Sequence, residues 1–163
     1  MRSVIAVYVE NKYGVLTRVS GLFMRRGFNI DSLTVGETDD PKFSRITITL
    51  NGDDYAREQL INQLKKLHNI KQVKLLESGS SVERELMLIK VANTAETRSE
   101  IMAAVEIYRA KIIDYITAAL CIEVTGEPSK INALIAVLKP LGIIEMCRTG
   151  VVALERGGSI MEK

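Results

Sequence analysis

Apolar and polar positions follow two periods along this chain, and the periods alternate in the same order twice. Residues 4–9, VIAVYV, form an unbroken apolar run that predicts a strand. Val15, Leu16, Val19, Leu22 and Phe23 then recur at spacings of three and four, the stripe of an amphipathic helix. Arg25 and Arg26 set cations at that helix's negative pole, Gly27 is free to adopt the left-handed cap, and Phe28 stands where it can cover the end. Residues 30–35 and the alternating Ile46, Ile48 and Leu50 predict a hairpin around the polar loop of Thr38, Asp39, Asp40 and Pro41. Gly52, Asp53 and Asp54 open a second helix with the stripe Leu60, Ile61, Leu64 and Leu67, and residues 73–76 supply a last strand.

The small polar stretch Ser78, Gly79, Ser80, Ser81 reads as a linker, after which the pattern restarts. Residues 86–92 predict a strand, Asn93 with Glu96 resembles a capping box, and Ile101, Met102, Val105 and Tyr108 mark a helical face. Residues 112–116 and 120–124 predict a second hairpin, and Pro128 begins a helix striped by Ile131, Leu134, Ile135, Leu138 and Leu141. Residues 143–147 and 151–154 are expected to close the second unit, with a frayed tail from Gly157. The fold class is therefore α+β: two ferredoxin-like βαββαβ domains, each an antiparallel four-stranded sheet with two helices on one face. The expected boundaries are 1–77, a linker at 78–83, and 84–163. In the first domain the second sheet face is expected to be bare and in need of a partner.

Composition narrows the chemistry. The 163 residues suffice for two small modules, and 22 basic against 20 acidic residues give a net charge of +2, which exerts little pull on nucleic acid or anionic lipid. No apolar run approaches the roughly 20 residues of a membrane span, and no signal peptide is visible. Cys121 and Cys147 lie in predicted strands without metal-site or redox spacing, so both are expected to be reduced core thiols in the cytoplasm. His68 is the only histidine; it is expected to cap the second helix and cannot build a histidine metal cluster or relay. An RNA-recognition module shares this element order but needs aromatic residues on its central strands, where this chain has Ile46, Ile48 and Leu50 with Phe43 at the margin. No nucleophile has a base placed beside it, so no catalytic residues are assigned.

The informative turn is Glu10, Asn11, Lys12, Tyr13, Gly14, which leads from an apolar strand into a helix start. Free N–H groups there can hold an anion the size of an amino acid's carboxylate, and Gly14 lets a ligand approach the main chain. Asn11 can serve either the ammonium or the carboxylate of a zwitterion. Asparagine and glycine are also ordinary turn formers, so spacing alone leaves both readings open.

Over residues 10–48 the string ENKYGVLTRVSGLFMRRGFNIDSLTVGETDDPKFSRITI resembles the amino-terminal ACT domain of the acetohydroxyacid (acetolactate) synthase small, regulatory subunit. VERELMLIKV at 82–91 and RTGVVALERG at 148–157 resemble the same family's carboxy-terminal domain; Glu37 stands where that family more often has proline. The resemblance implies a cytoplasmic regulator of branched-chain amino-acid synthesis, with no metal and no cofactor of its own. Its implied partner is a catalytic large subunit carrying thiamine diphosphate and magnesium, which it activates and makes sensitive to feedback by a branched-chain amino acid, typically valine. It further implies a homodimer through the ACT domains, with higher assembly left open, and no membrane or nucleic-acid partner. An ACT sensor serving a different biosynthetic enzyme is the alternative. The matching effector positions are Asn11, Gly14, Val15 and Leu16 of one chain and Asn29, Ile30 and Val35 of the other. On this reading Asn11 and the helix N–H groups take the carboxylate, Asn29 supports the polar end, and Leu16, Ile30 and Val35 surround the side chain. The second domain lacks an equivalent turn and is expected to hold no effector.

Overall fold

A run of apolar residues with no polar alternation suits a strand covered on both faces, and residues 3–9 of the first strand, β1 (Arg2–Glu10), are all buried. The computed structural model describes residues 2–161. After β1 come α1 (Val15–Arg25), β2 (Ile30–Glu37), β3 (Phe43–Asn51), α2 (Asp54–Leu64) and β4 (Ile70–Leu76). These strands form an antiparallel sheet in the order β2-β3-β1-β4, so β2 and β4 are its edges. Ile5, Val7 and Val9 of β1 face the helices, where Val19, Leu22 and Phe23 of α1 meet Leu60 and Leu64 of α2. The end of α1 follows from its sequence: Gly27 takes φ +70, the Phe28 N–H returns to the Phe23 carbonyl at 3.1 Å, and the two phenylalanine rings meet edge-on at 6.4 Å. Helix α2 stops earlier than its stripe, at Leu64; Leu67 lies in the following turn but still packs on the core.

The second pass of the pattern gives β5 (Ser81–Ala92), α3 (Arg98–Ile107), β6 (Lys111–Ile116), β7 (Ala119–Gly126), α4 (Pro128–Leu138), a 3-10 turn (Lys139–Leu141), β8 (Ile143–Arg148) and β9 (Val152–Glu155). The order β6-β7-β5-β8 repeats the first sheet's topology. Its core sets Met87, Ile89, Val91, Leu120 and Ile122 against Ile101, Ile131 and Leu134. At one end Glu85, buried, accepts from Nε and Nη2 of Arg148 at 2.6 and 2.7 Å, and this doubly bonded pairing raises the Arg148 pKa. Cys147 is exposed and Cys121 half-buried, so neither is the fully buried thiol expected.

The carboxy-terminal segment departs from expectation. The expected strand forms as β9 and pairs with β5, but its residues group with the other compact unit: the first unit comprises the residues up to Val82 and those from Val151 onward, and the second is Glu83–Gly150. The first sheet's second face is correspondingly not bare, because Val151 and Ala153 pack there on Val4, Ala6 and Leu76. Polar contacts fix the returning segment: Arg45 Nη2 donates to the Ala153 carbonyl at 2.9 Å, Lys74 pairs with Glu155, and the Arg156 N–H donates to the Ser80 carbonyl at 2.8 Å. The tail from Gly157 is not loose as far as it is described, since Lys74 donates to Ser159 at 2.8 Å and Met161 packs on the Val4 cluster; residues 162–163 lie outside the described range. The linker is also shorter than expected. Ser81 is buried, donates to the Glu77 carbonyl at 2.7 Å and already begins β5.

Candidate functional site

Asn11, Lys12, Tyr13 and Gly14 carry the chain from β1 into α1. Gly14 is the helix N-cap at φ +79, a conformation that side chains resist. No side chain caps the first turn and no acidic residue stands in it; the Val15 N–H reaches the Lys12 carbonyl only at 3.4 Å. The positive pole of α1 is thus open to an anion, and a Cβ built on Gly14 meets nothing within 4 Å, so the approach is clear.

Beneath the turn lies a polar cluster that sequence reasoning missed. Glu10 accepts from Lys71 at 2.8 Å, Lys12 at 2.9 Å and Asn69 at 2.9 Å; these bonds, Lys71 foremost, hold its pKa down at about 2 against an ordinary 4.5. Buried Asn69 also accepts from Arg18 of α1 at 2.7 Å, and its carbonyl accepts the Glu10 N–H at 2.9 Å. One asparagine therefore joins the end of β1 to the first turns of α1. The only sequence signal for it was an asparagine immediately before a strand. Its neighbour His68, expected to cap α2, is exposed four residues beyond the helix end.

Asn11 is held on the outer side of the turn. Its Nδ2 donates to Glu37 Oε1 and to the Pro41 carbonyl, both at 3.0 Å. Among the other sequence-derived positions, Leu16 and Val35 expose 44% and 43% of their surface, whereas Val15 is buried in the core and offers the turn only its main chain. Asn29 and Ile30 lie elsewhere. Ile30 pairs with Leu50, which pairs with Ser3, while Glu10 pairs with Phe43, so the length of the sheet separates Ile30 from the Asn11 turn within one chain.

The corresponding turn of the second unit is closed. The expected capping box does not form: Asn93 is buried, donating to the Ile116 carbonyl at 3.0 Å and accepting from Arg98 at 2.8 Å. The Thr97 N–H donates to the Thr94 hydroxyl at 3.2 Å, and α3 starts only at Arg98. Among the described residues no three His, Cys, Asp or Glu side chains gather as they would around a metal ion, and no helix is long and apolar enough to cross a membrane.

A βαββαβ sheet with an open first helix start is the frame of an ACT domain, and residues 5–72 match the family described as the AHAS small subunit-like ACT domain. Residues 84–157 match a second family, described as the small subunit of acetolactate synthase. The chain is 52% identical over 158 residues to a probable acetolactate synthase small subunit of Archaeoglobus fulgidus, covering 96% of this chain and 98% of that protein. It is 43% identical over 162 residues to the acetolactate synthase isozyme 3 small subunit of Escherichia coli, covering 99% of both. The solved acetolactate synthase small subunit of Thermotoga maritima shares its fold at a TM-score of 0.89 with 42% identity, covering 98% of this chain and 99% of that one. The chain belongs to the acetolactate synthase small-subunit family, and its role is that of a regulatory subunit.

Proposed function

We propose that this chain activates a separate catalytic large subunit of acetolactate synthase and makes it subject to feedback by a branched-chain amino acid, with valine the first candidate. Catalysis, with its thiamine diphosphate and magnesium, resides on that partner in the cytoplasm, and this chain supplies no catalytic group. The observation that carries the sensing role is the uncapped start of α1 behind Gly14, in a chain whose family matches run through both halves.

The effector lies between two copies of the chain. Strand β2 is an edge, and an antiparallel pairing of two such edges centred on Leu33 and Thr34 would set the partner's Ile30 opposite Glu37. That pairing would carry the partner's Asn29 to the end of the sheet that bears Asn11, Gly14, Leu16 and Val35. The N–H groups of α1 hold the carboxylate, and Leu16, Val35 and the partner's Ile30 enclose the branched side chain. Binding across two chains favours one packing of them; feedback follows when that packing is the inhibited one, with a coupling of about 1–3 kcal/mol in typical systems. The test is turnover of a thiamine-diphosphate acetolactate synthase catalytic subunit with this chain added, with and without L-valine. Activation that L-valine reverses supports the reading; a catalytic subunit indifferent to the chain rejects it.

A further inference from the structure

We infer that Glu37, together with the carbonyl of Asn11, forms the ammonium-binding half of the effector site, an assignment that rests on the effector reading above. Sequence left Asn11 able to serve either end of a zwitterion. The structure removes that ambiguity. Its Nδ2 lies 3.0 Å from Glu37 Oε1 and 3.0 Å from the Pro41 carbonyl oxygen, and both of those atoms only accept hydrogen bonds. An amide turned the other way would face two acceptors with a third, so the NH2 group must stand there and both its hydrogens are spent. What Asn11 has left to offer a ligand is an acceptor, Oδ1.

Glu37 adds a second acceptor, and a charged one. Asn11 is the one hydrogen-bond partner of its side chain, and no cation pairs with it, among the described residues. Glu37 is exposed at the end of β2, while the nearby carboxylate of Glu10 is already saturated by Lys12, Lys71 and Asn69. The polar groups around the turn therefore divide by sign. The helix start presents N–H donors behind Gly14, and the Asn11–Glu37 pair presents acceptors beside it, the pattern that recognises an α-amino acid and disfavours the same carbon skeleton without its amino group. The carboxylate's ligand is thus the helix start alone, and Asn11 changes role from the one its spacing suggested.

The experiment is calorimetric titration of the full chain with L-valine and with 3-methylbutanoate, using the wild type, Glu37→Gln and Gly14→Asp. Glutamine keeps an oxygen to accept from Asn11, so the turn stays in place while the charge is removed. The expected result is L-valine binding weakened about tenfold in Glu37→Gln, a smaller preference for L-valine over 3-methylbutanoate, and less salt dependence of L-valine binding than in the wild type. Wild-type affinity and preference in Glu37→Gln, with binding lost in Gly14→Asp, would overturn the role of Glu37 while leaving the site in place. No L-valine binding to the wild type, or wild-type binding in both variants, would reject the effector site itself and the ammonium assignment with it.

Discussion

The two units share strand order, yet their first turns have opposite chemistry, and the difference lies in how each turn uses its asparagine. In the first unit Asn11 points outward to Glu37 and Pro41, the helix begins at once behind a glycine, and no side chain caps it. In the second, Asn93 turns inward, bonds Ile116 and Arg98, and a threonine turn delays the helix to Arg98. One asparagine leaves a helix pole available to a ligand; the other is a structural tie. Repetition of a fold does not repeat a site, because a site needs donors and acceptors that the fold itself leaves unused.

The sharpest way to break this contrast is Gly14→Asp. The position has room for a side chain, but φ +79 is unfavourable and a carboxylate would occupy the place proposed for the effector's own. We predict that inhibition of the holoenzyme by L-valine disappears, a shift of about a hundredfold or more in the half-inhibiting concentration, within reach of typical allosteric couplings. Asn93→Ala should leave that inhibition unchanged and cost the second unit about 1–3 kcal/mol in urea unfolding, since the Ile116 carbonyl loses its donor and Arg98 its acceptor. An altered valine response in Asn93→Ala would erase the distinction between the turns.

The units also differ in what their sheets lean on. A chain ending at Gly150 would uncover Val4, Ala6 and Leu76, and we predict a loss of about 2–4 kcal/mol from the first unit by urea unfolding. Unchanged unfolding would mean that the returning segment contributes no packing. In the second unit Glu85→Ala should cost about 2–3 kcal/mol by removing the carboxylate that Arg148 faces, which leaves the guanidinium only its Nη1 bond to Asn132 at 2.9 Å.

The smallest expected effect concerns Glu10. Its folded-state pKa of about 2 lies below its ordinary 4.5, so its contribution to stability is complete above about pH 4.5 and is lost as the pH falls toward 2. Urea midpoints of the wild type and Glu10→Gln should therefore differ most near neutrality and converge by about pH 2. A difference that grows in acid would contradict the cluster.

Much of this was legible in the sequence, and the reasons for the rest are physical. Helical stripes and the pairing of Gly27 with Phe28 are local, since the residues that specify them are the residues that touch. The return of Val151 and Ala153 to the first sheet is a contact between residues some 145 positions apart, beyond any periodicity. Its one trace was the unbroken VIAVYV, which signals a strand buried on both faces rather than a face left for a partner. Tertiary partners also decided the polar groups. Asn93 looked like a cap because its spacing to Glu96 fits a capping box, but the Ile116 carbonyl and Arg98 claim it. At the candidate site the Asn11–Gly14 turn could be read directly, whereas Asn69 and Glu37 matter through neighbours from other strands.

Diffraction from crystals of the full chain grown with L-valine tests the central claim most directly. The amino acid should lie between two chains, its carboxylate on the N–H groups behind Gly14 and its ammonium at Asn11 and Glu37, with the 93–97 turn vacant. L-valine bound at that second turn, or at any site away from the start of α1, would contradict the claim.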